Sequence, residues 1–357
     1  MVAIPEEYIK SAVFICVKER RGAVEELVPK ATAFWVSVAL EGTQGRGHVA
    51  YFVTARHCLY EASAEGYEKI YLRFNLREES GYIEVPTRIS DWVTSTSSDV
   101  AAIMFVPAHL PGGRRFQDFD IIAFNSDFFV GPGPEYEYTP REMEAGPPVR
   151  PRVGTEIYHI GLFTQQYGKE KNLPIARFGH IARMPSVIKL KDPDGTEYDT
   201  IAYLVEFHSW GGHSGSPVYF LEQRMLRMVA EDGKPIARPT TEIGWITGFL
   251  GIISGHYEIG KEGKTTGDMG TVETDLNSGI ATVIPAEAVR LLLVRDDMVK
   301  QRAELKAEME SKIPTPANDF ARAESDIEFI KTDFDTALQR TSRRVKPSKS
   351  ARGKKRT

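Results

Sequence analysis

ATAFWVSVALEGTQGRGHVAYFVTARHC, residues 31–58, is the stretch on which the fold class turns. Within it ATAFWVSVAL and HVAYFVTA are short runs rich in β-branched and aromatic residues, apolar at period 2 and bounded by turn residues, which is how strands read. Working outward, SAVFICVKE, KIYLRFNL, YIEVPTRIS and DVAAIMFV complete six candidate strands before residue 110. From Val153 a second six follow: EIYHIGLF, PIARFGHIARM, TIAYLVEF, PVYFLEQRM, GWITGFLGIIS and GIATVIPA. No helical pattern of about 10 to 15 residues intervenes, which argues against a parallel βαβ sheet. Closed antiparallel barrels, which have no exposed edges, fit better. The expectation is an all-β chain of two six-stranded antiparallel barrels, although no repeat at the level of sequence supports duplication independently.

Between the two sets lies GPGPEYEYTPREMEAGPPVRP (residues 131–151), with six prolines that cannot donate ladder hydrogen bonds, so it reads as a crossover. After Ile284 the texture changes to AEAVRLLLV and MVKQRAELKAEMES, rich in strong helix formers. Pro314 and Pro316 break that pattern, and Ser325 with Glu328 has capping-box spacing at the start of a second helix. Ile327, Ile330, Phe334 and Leu338 share one face of it, suited to packing on the body or to docking a protein partner. The expected organisation is a first barrel over 1–130, the crossover over 131–152, a second barrel over 153–285, a helical extension over 286–342 and a disordered basic tail over 343–357.

The chain has 357 residues, 41% hydrophobic and 26% charged, which suits a sizeable folded core and excludes both a disordered chain and a collagen-like repeat. No uncharged apolar stretch approaches the roughly 18 residues of a membrane span, and MVAIPEEYIK is acidic where a signal peptide is basic. Cys16 and Cys58 are too few for a disulfide framework, so reduced thiols in a cytosol are expected. The tail 343–357 holds eight of the 45 basic residues and none of the 49 acidic ones, leaving an acidic body unsuited to nucleic acid. Any nucleic-acid binding would come from the tail, which lacks the interleaved aromatics needed for base stacking.

Three segments carry reactive side chains: VTARHC around His57, SSDVAAI around Asp99 and GGHSGSPV around Ser214. Singly each has an ordinary reading, as a core or surface histidine, a turn former before a strand, and loop chemistry beside glycine. Their joint placement is less ordinary, with His57 closing the third strand, Asp99 opening the sixth, and Ser214 just before the fourth strand of the second set. The chain resembles the trypsin/chymotrypsin-like serine peptidases, of a non-zymogen, intracellular kind, over roughly residues 10 to 290. The matching segments are Thr54-Ala55-Arg56-His57-Cys58, Asp99-Val100-Ala101 and Gly212-His213-Ser214-Gly215-Ser216-Pro217. GFLGIISG is similar to the family's substrate-pairing strand and GIATVIP to its last barrel strand.

The chemistry needs these residue types for stated reasons. A serine hydroxyl is a poor nucleophile until a base takes its proton, and an imidazole can accept that proton and return it to the leaving amine. A buried carboxylate on the other ring nitrogen fixes the tautomer and stabilises the imidazolium. The resemblance therefore implies His57, Asp99 and Ser214 as a catalytic triad in an endopeptidase acting on polypeptides. Backbone N–H groups of Gly212 and Ser214 would form the oxyanion hole, glycine leaving the approach unobstructed. No metal or organic cofactor is implied.

Departures from the family pattern carry their own expectations. His213 stands where zymogen-type relatives have an aspartate, and no Ile-Val-Gly-Gly-like start appears, so proteolytic activation looks absent. His213 either braces the oxyanion loop, holds it shut until a partner binds, or simply fills its place. The cysteine expected to bridge Cys58 is missing. Six residues before Ser214, at the floor of the primary pocket, stands His208, with Ser209 and Trp210 beside it and Ser254, Gly255 and His256 on the facing wall. The lack of an acidic floor argues against cleavage after Lys or Arg; a histidine-lined pocket suits acidic or polar side chains. Ile253 to Gly255 are expected to pair with substrate backbone as an added strand.

Rivals are weaker. An α/β-hydrolase elbow needs glycine at Ser216, and its chain order would have to use Asp232 and His256. A metal hydrolase lacks HExxH and paired cysteines. The stronger alternative is a catalytically idle barrel that binds peptides and recruits partners through its C-terminal helices, for which the three reactive residues and the oxyanion glycine have no chemical use.

Overall fold

A computed structural model describes residues 4, 6–40, 47–78, 81–107, 110, 112–125, 151–207, 212–227, 241–258 and 277–311. After a helical turn α1 (Glu6–Ile9) come β1 (Ala12–Arg21), β2 (Val24–Ala39), β3 (His48–Thr54), helix α2 (Arg56–Ala64), β4 (Lys69–Asn75), β5 (Tyr82–Arg88), β6 (Val93–Thr94), β7 (Ala101–Phe105) and β8 (Phe124–Asn125). The second set is β9 (Glu156–Gly161), β10 (Ile175–Lys191), β11 (Glu197–Glu206), β12 (Pro217–Arg227), β13 (Thr241–Glu258) and β14 (Asn277–Pro285), followed by α3 (Ala286–Leu293) and α4 (Asp296–Ser311). The crossover over 131–150, the helix from Ser325 and the basic tail lie outside the described residues.

The second unit closes into a six-stranded antiparallel barrel in the order β10-β11-β14-β13-β12-β9. The first is a curled sheet in the order β5-β4-β1-β2-β3-β7-β6, with β8 added in parallel beside β2, so it closes less completely than its partner. Two antiparallel β units with C-terminal helices make up the two-barrel, chymotrypsin-like architecture.

The period-2 runs form strands because their two faces meet two different partners. On β2, Trp35 points into the first unit, its ring 4.5 Å from Phe52 and 4.9 Å from Phe105. Its neighbour Phe34 points the other way, with its ring 5.2 Å from Phe249 of β13. This explains why ATAFWV is apolar at every face: both sides of β2 are buried. The second barrel has its own interior, including Ile157, Tyr203, Val205, Val218, Phe220, Leu250 and Ile253. Alternate residues Tyr158, Tyr219 and Phe249 face outward and join the core of the first unit, with α3 adding Val289, Leu292 and Leu293.

α4 lies against this body through Met298 and Leu305, and its buried Arg302 donates to Tyr51 Oη (3.1 Å) and the Leu293 carbonyl (2.7 Å). No helix among the described residues is long and apolar enough to cross a membrane.

Because Phe249 is 1% exposed and sits between the two units, F249A should destabilise the protein by about 3–5 kcal/mol, read as a lower urea midpoint. A loss below about 1 kcal/mol would mean that the seam does not carry stability.

Candidate functional site

β3 ends at Thr54, and the extended backbone of Ala55 (ψ 137°) turns the chain into α2. His57 therefore lies in the first turn of a helix rather than at the end of a strand, as the sequence had suggested. The helix start leaves its backbone N–H without an intrahelical acceptor. That N–H donates to Asp99 Oδ1 at 2.8 Å, while imidazole Nδ1 meets Oδ2 of the same carboxylate at 2.6 Å. The carboxylate also accepts the Ser254 hydroxyl at 2.5 Å, and Asp99 is 1% exposed. A carboxylate facing Nδ1 places the ring proton there and leaves the Nε2 lone pair to act as an acceptor. Nε2 lies 3.8 Å from the Cys58 thiol.

Electrostatics follow from this geometry. Burial is the largest single influence and disfavours the charged imidazole, but Asp99 and Cys58 together outweigh it and hold His57 well above its ordinary value. Burial would likewise raise Asp99, yet the charge of His57 and hydrogen bonds from His57 and Ser254 hold it below the usual carboxylate value.

Ser214 sits in the turn before β12, pinned from both units. Its carbonyl accepts Thr32 N–H of β2 at 3.0 Å, and Gly215 N–H donates to the Ile253 carbonyl of β13 at 2.8 Å. Gly215 has φ +80°, and a Cβ there would run into the Thr32 carbonyl, Thr54 Oγ1 and Ala55 N. Only glycine lets the serine loop lie flush against the segment that leads into His57. Thr32 Oγ1 donates to the Gly212 carbonyl (2.9 Å) and accepts Leu162 N–H (2.9 Å), while Thr54 Oγ1 donates to the Thr32 carbonyl (2.8 Å). Gly212 adopts φ +96°. The N–H groups of Gly212 and Ser214 have no acceptor among the described residues. Among those residues, no hydrogen bond joins the Ser214 hydroxyl to Nε2 of His57; such bonds are often long in unliganded sites.

The substrate-contact expectations change in three places. Ile253 is fully buried in the second barrel, its carbonyl accepts Gly215 N–H and its N–H donates to the Ser216 carbonyl (3.0 Å), so its backbone is not available to an added strand. The Ser254 side chain turns to Asp99 rather than to a pocket wall. Gly255 lies beyond the last β12–β13 partner, Pro217↔Ile252, with open space where a Cβ would stand. His208, Ser209, Trp210 and the side chain of His256 lie outside the described residues.

One feature was not legible beforehand. His213 is fully buried behind the serine loop, with its ring 4.7 Å from that of His159 on β9, which in turn lies 4.7 Å from Phe207. No metal-ligating cluster of three or more His, Cys, Asp or Glu occurs among the described residues.

No protein-family model and no curated protein matches the chain. Solved structures similar to it include the MamO protease domain from Magnetospirillum magneticum in its apo form (14% identity, TM-score 0.40, 82% of this chain and 100% of that chain). The active form of the Rv3671c protease from M. tuberculosis is another (14%, 0.34, 81% and 84%). The thermostable serine protease AL20 from an extremophilic microorganism is a third (12%, 0.36, 80% and 96%).

Burial, aided by the charge of Arg177, pushes His213 down to about 4, and burial next to His213 pushes His159 well below its ordinary value. Both rings fold neutral, whereas the unfolded chain protonates them below about 6.5. Their contribution to stability is complete above that value and falls as pH drops from about 6.5 toward about 4. Urea unfolding across this window should show the decline, and H159F should flatten it. Parallel curves for the two proteins would refute the assignment.

Proposed function

We propose that the chain is a serine endopeptidase with Ser214 as nucleophile, His57 as general base and Asp99 as the group that orients the imidazole. The observation that carries this reading is the hydrogen-bonded series Ser254–Asp99–His57, placed beside a serine loop that packs onto the residues preceding His57.

In this reading the Ser214 oxygen attacks the scissile carbonyl carbon as its proton passes to Nε2. The Nδ1–Asp99 bond stabilises the resulting imidazolium. The tetrahedral oxyanion takes the Gly212 and Ser214 N–H groups, in a loop whose Gly212 and Ser214 carbonyls are held by Thr32 and whose His213 carbonyl accepts Ser216 N–H. The carbon–nitrogen bond then breaks as the proton passes from Nε2 to the leaving amine, giving an acyl-enzyme. Water, deprotonated by the same nitrogen, releases the acid and restores the serine. Each oxyanion donor is worth about 100- to 1,000-fold in rate. The free edge of β13 from Gly255 onward is where substrate backbone would pair. Cys16 and Cys58 are both unbonded, which suits a reducing compartment such as the cytosol.

A second reading, an idle peptide-binding barrel, draws on one observation: Nε2 of His57 neighbours the Cys58 sulfur and is not bonded to Ser214. Reaction with a fluorophosphonate probe decides between them. Labelling should be confined to Ser214 and abolished by S214A, and D99N should slow it by roughly 10,000-fold. The rate should rise with pH between about 5 and 8, with a midpoint above the ordinary 6.5 because Asp99 favours the protonated ring. An unlabelled wild-type protein, or a rate indifferent to pH in that range, would leave the idle barrel.

A further inference from the structure

β10 and β11 run well past the barrel that they help to build. Only Ile175–His180 of β10 pairs with β9, and only Tyr203–Glu206 of β11 with β14, while the β10–β11 pairing continues to Lys191↔Glu197. Beyond the barrel the two strands form a ribbon with no third strand among the described residues, which is marginal on its own and has to dock. One face does: Ile188, Thr200 and Ala202 are buried, and Ile188 and Ala202 join the core of the first unit. The opposite face leaves Val187 and Ile201, a cross-strand pair, 66% and 51% exposed.

At the ribbon tip, both carboxylate oxygens of Asp192 accept from the one Arg56 Nη2, at 2.9 and 3.0 Å. The other terminal nitrogen of the same guanidinium donates to the Ser95 carbonyl at 2.8 Å. Its plane lies 4.3 Å from the ring of Tyr198 on β11 and 5.3 Å from that of Tyr60 on α2. Arg56 immediately precedes His57, and Ser95 opens the loop that ends in Asp99, closed by Ser95 N–H to the Val100 carbonyl (2.9 Å). One buried side chain therefore ties together the first turn of α2, the Asp99 loop and the far end of a ribbon from the other unit. Stability alone does not explain it. A buried ion pair is about neutral against a well-packed apolar pair, whereas a forked guanidinium fixes direction.

We propose that Arg56 and Asp192 form a clasp that docks the β10–β11 ribbon beside the His57–Asp99 pair, and that Arg56 is a positioning residue for the imidazole. The proposal rests on the reading of His57 as the general base. The charged or titratable groups against that ring are Asp99 from the loop before β7 and Cys58 from α2, and those around the adjacent Arg56 are Tyr60 from α2, Tyr198 from β11, and Asp192 and Asp194 from the ribbon turn. In the intact clasp the Arg56 and Asp192 charges offset each other, so the titratable groups that act on the imidazole are Asp99 and Cys58.

The test is the titration of the His57 ring by proton NMR, run in parallel with fluorophosphonate labelling of Ser214. D192N, which is isosteric, leaves the guanidinium uncompensated and should move the His57 midpoint down. R56Q leaves the carboxylate uncompensated and should move it up, and R56Q combined with D192N should return it toward wild type. R56K keeps the charge without the fork, so the midpoint should stay near wild type while labelling slows about tenfold or more. Midpoints that do not move, or that move in the same direction in D192N and R56Q, would overturn the clasp, as would full-speed labelling in R56K. If the wild-type protein never labels yet the midpoints diverge as described, the endopeptidase reading fails and the clasp stands. If it labels and the midpoints do not diverge, the reverse holds.

Discussion

A carboxylate that is 1% exposed cannot stay ionised without compensation, and the Asp99 side chain organises the structure around that requirement. Its three donors come from three places: the backbone of the first turn of α2, the imidazole on that turn and the hydroxyl of Ser254 on β13. The first two belong to one unit and the third to the other. The charge can be satisfied only when the two units are docked, so formation of the site and closure of the seam are one event. The apolar part of that seam, Phe34 against Phe249 with Tyr158 and Tyr219 alongside, supplies the driving force but no direction.

Direction comes from Thr32, a fully buried hydroxyl within an apolar strand. Its N–H, carbonyl and hydroxyl bind the Ser214 carbonyl, the Thr54 hydroxyl, the Gly212 carbonyl and the Leu162 N–H. Each such bond is worth about 1 kcal/mol net, yet breaking one strands a buried polar partner, so the four behave as a unit. They fix the Gly212 and Ser214 carbonyls on either side of His213, while the N–H groups of Gly212 and Ser214 have no acceptor among the described residues. A valine in place of Thr32 would pack as well and lose that orientation.

The strands were legible because half-buried pairing imposes period 2, and the His57, Asp99 and Ser214 segments were legible because each is a compact local pattern. What escaped was set by distant partners or masked by a local irregularity. The β10–β11 ribbon was cut short in the sequence because Pro185 interrupts the run; in the fold it sits where the register shifts between Arg183 and Ser186, a bulge that tolerates a residue without an N–H. α2 was read as the end of a strand because VTARHC continues an apolar β run without a side-chain cap to mark the change. Arg56 and Asp192 stand 136 positions apart, and nothing near either residue signals the other. Ser254 was placed on a pocket wall by analogy of position, whereas the nearest buried negative charge captures a hydroxyl more strongly than an open pocket does.

The histidines show how environment rather than residue type assigns the roles. His57 stands half-buried on the first turn of α2 and His159 fully buried on β9, and burial acts on both against the charged form. His57 meets a carboxylate with a second donor behind it, so the charged form wins. His159 meets another imidazole and the field of Arg177, so the charged form loses and the ring serves as neutral packing behind the serine loop. The loop thus has a rear support that stays uncharged while the ring in front of it changes charge. Burial disfavours the charged form of His213, so that ring stays neutral where His57 favours a proton. The serine loop thus packs at its rear on neutral imidazoles, while the half-buried imidazole at the start of α2 is held by a compensated carboxylate.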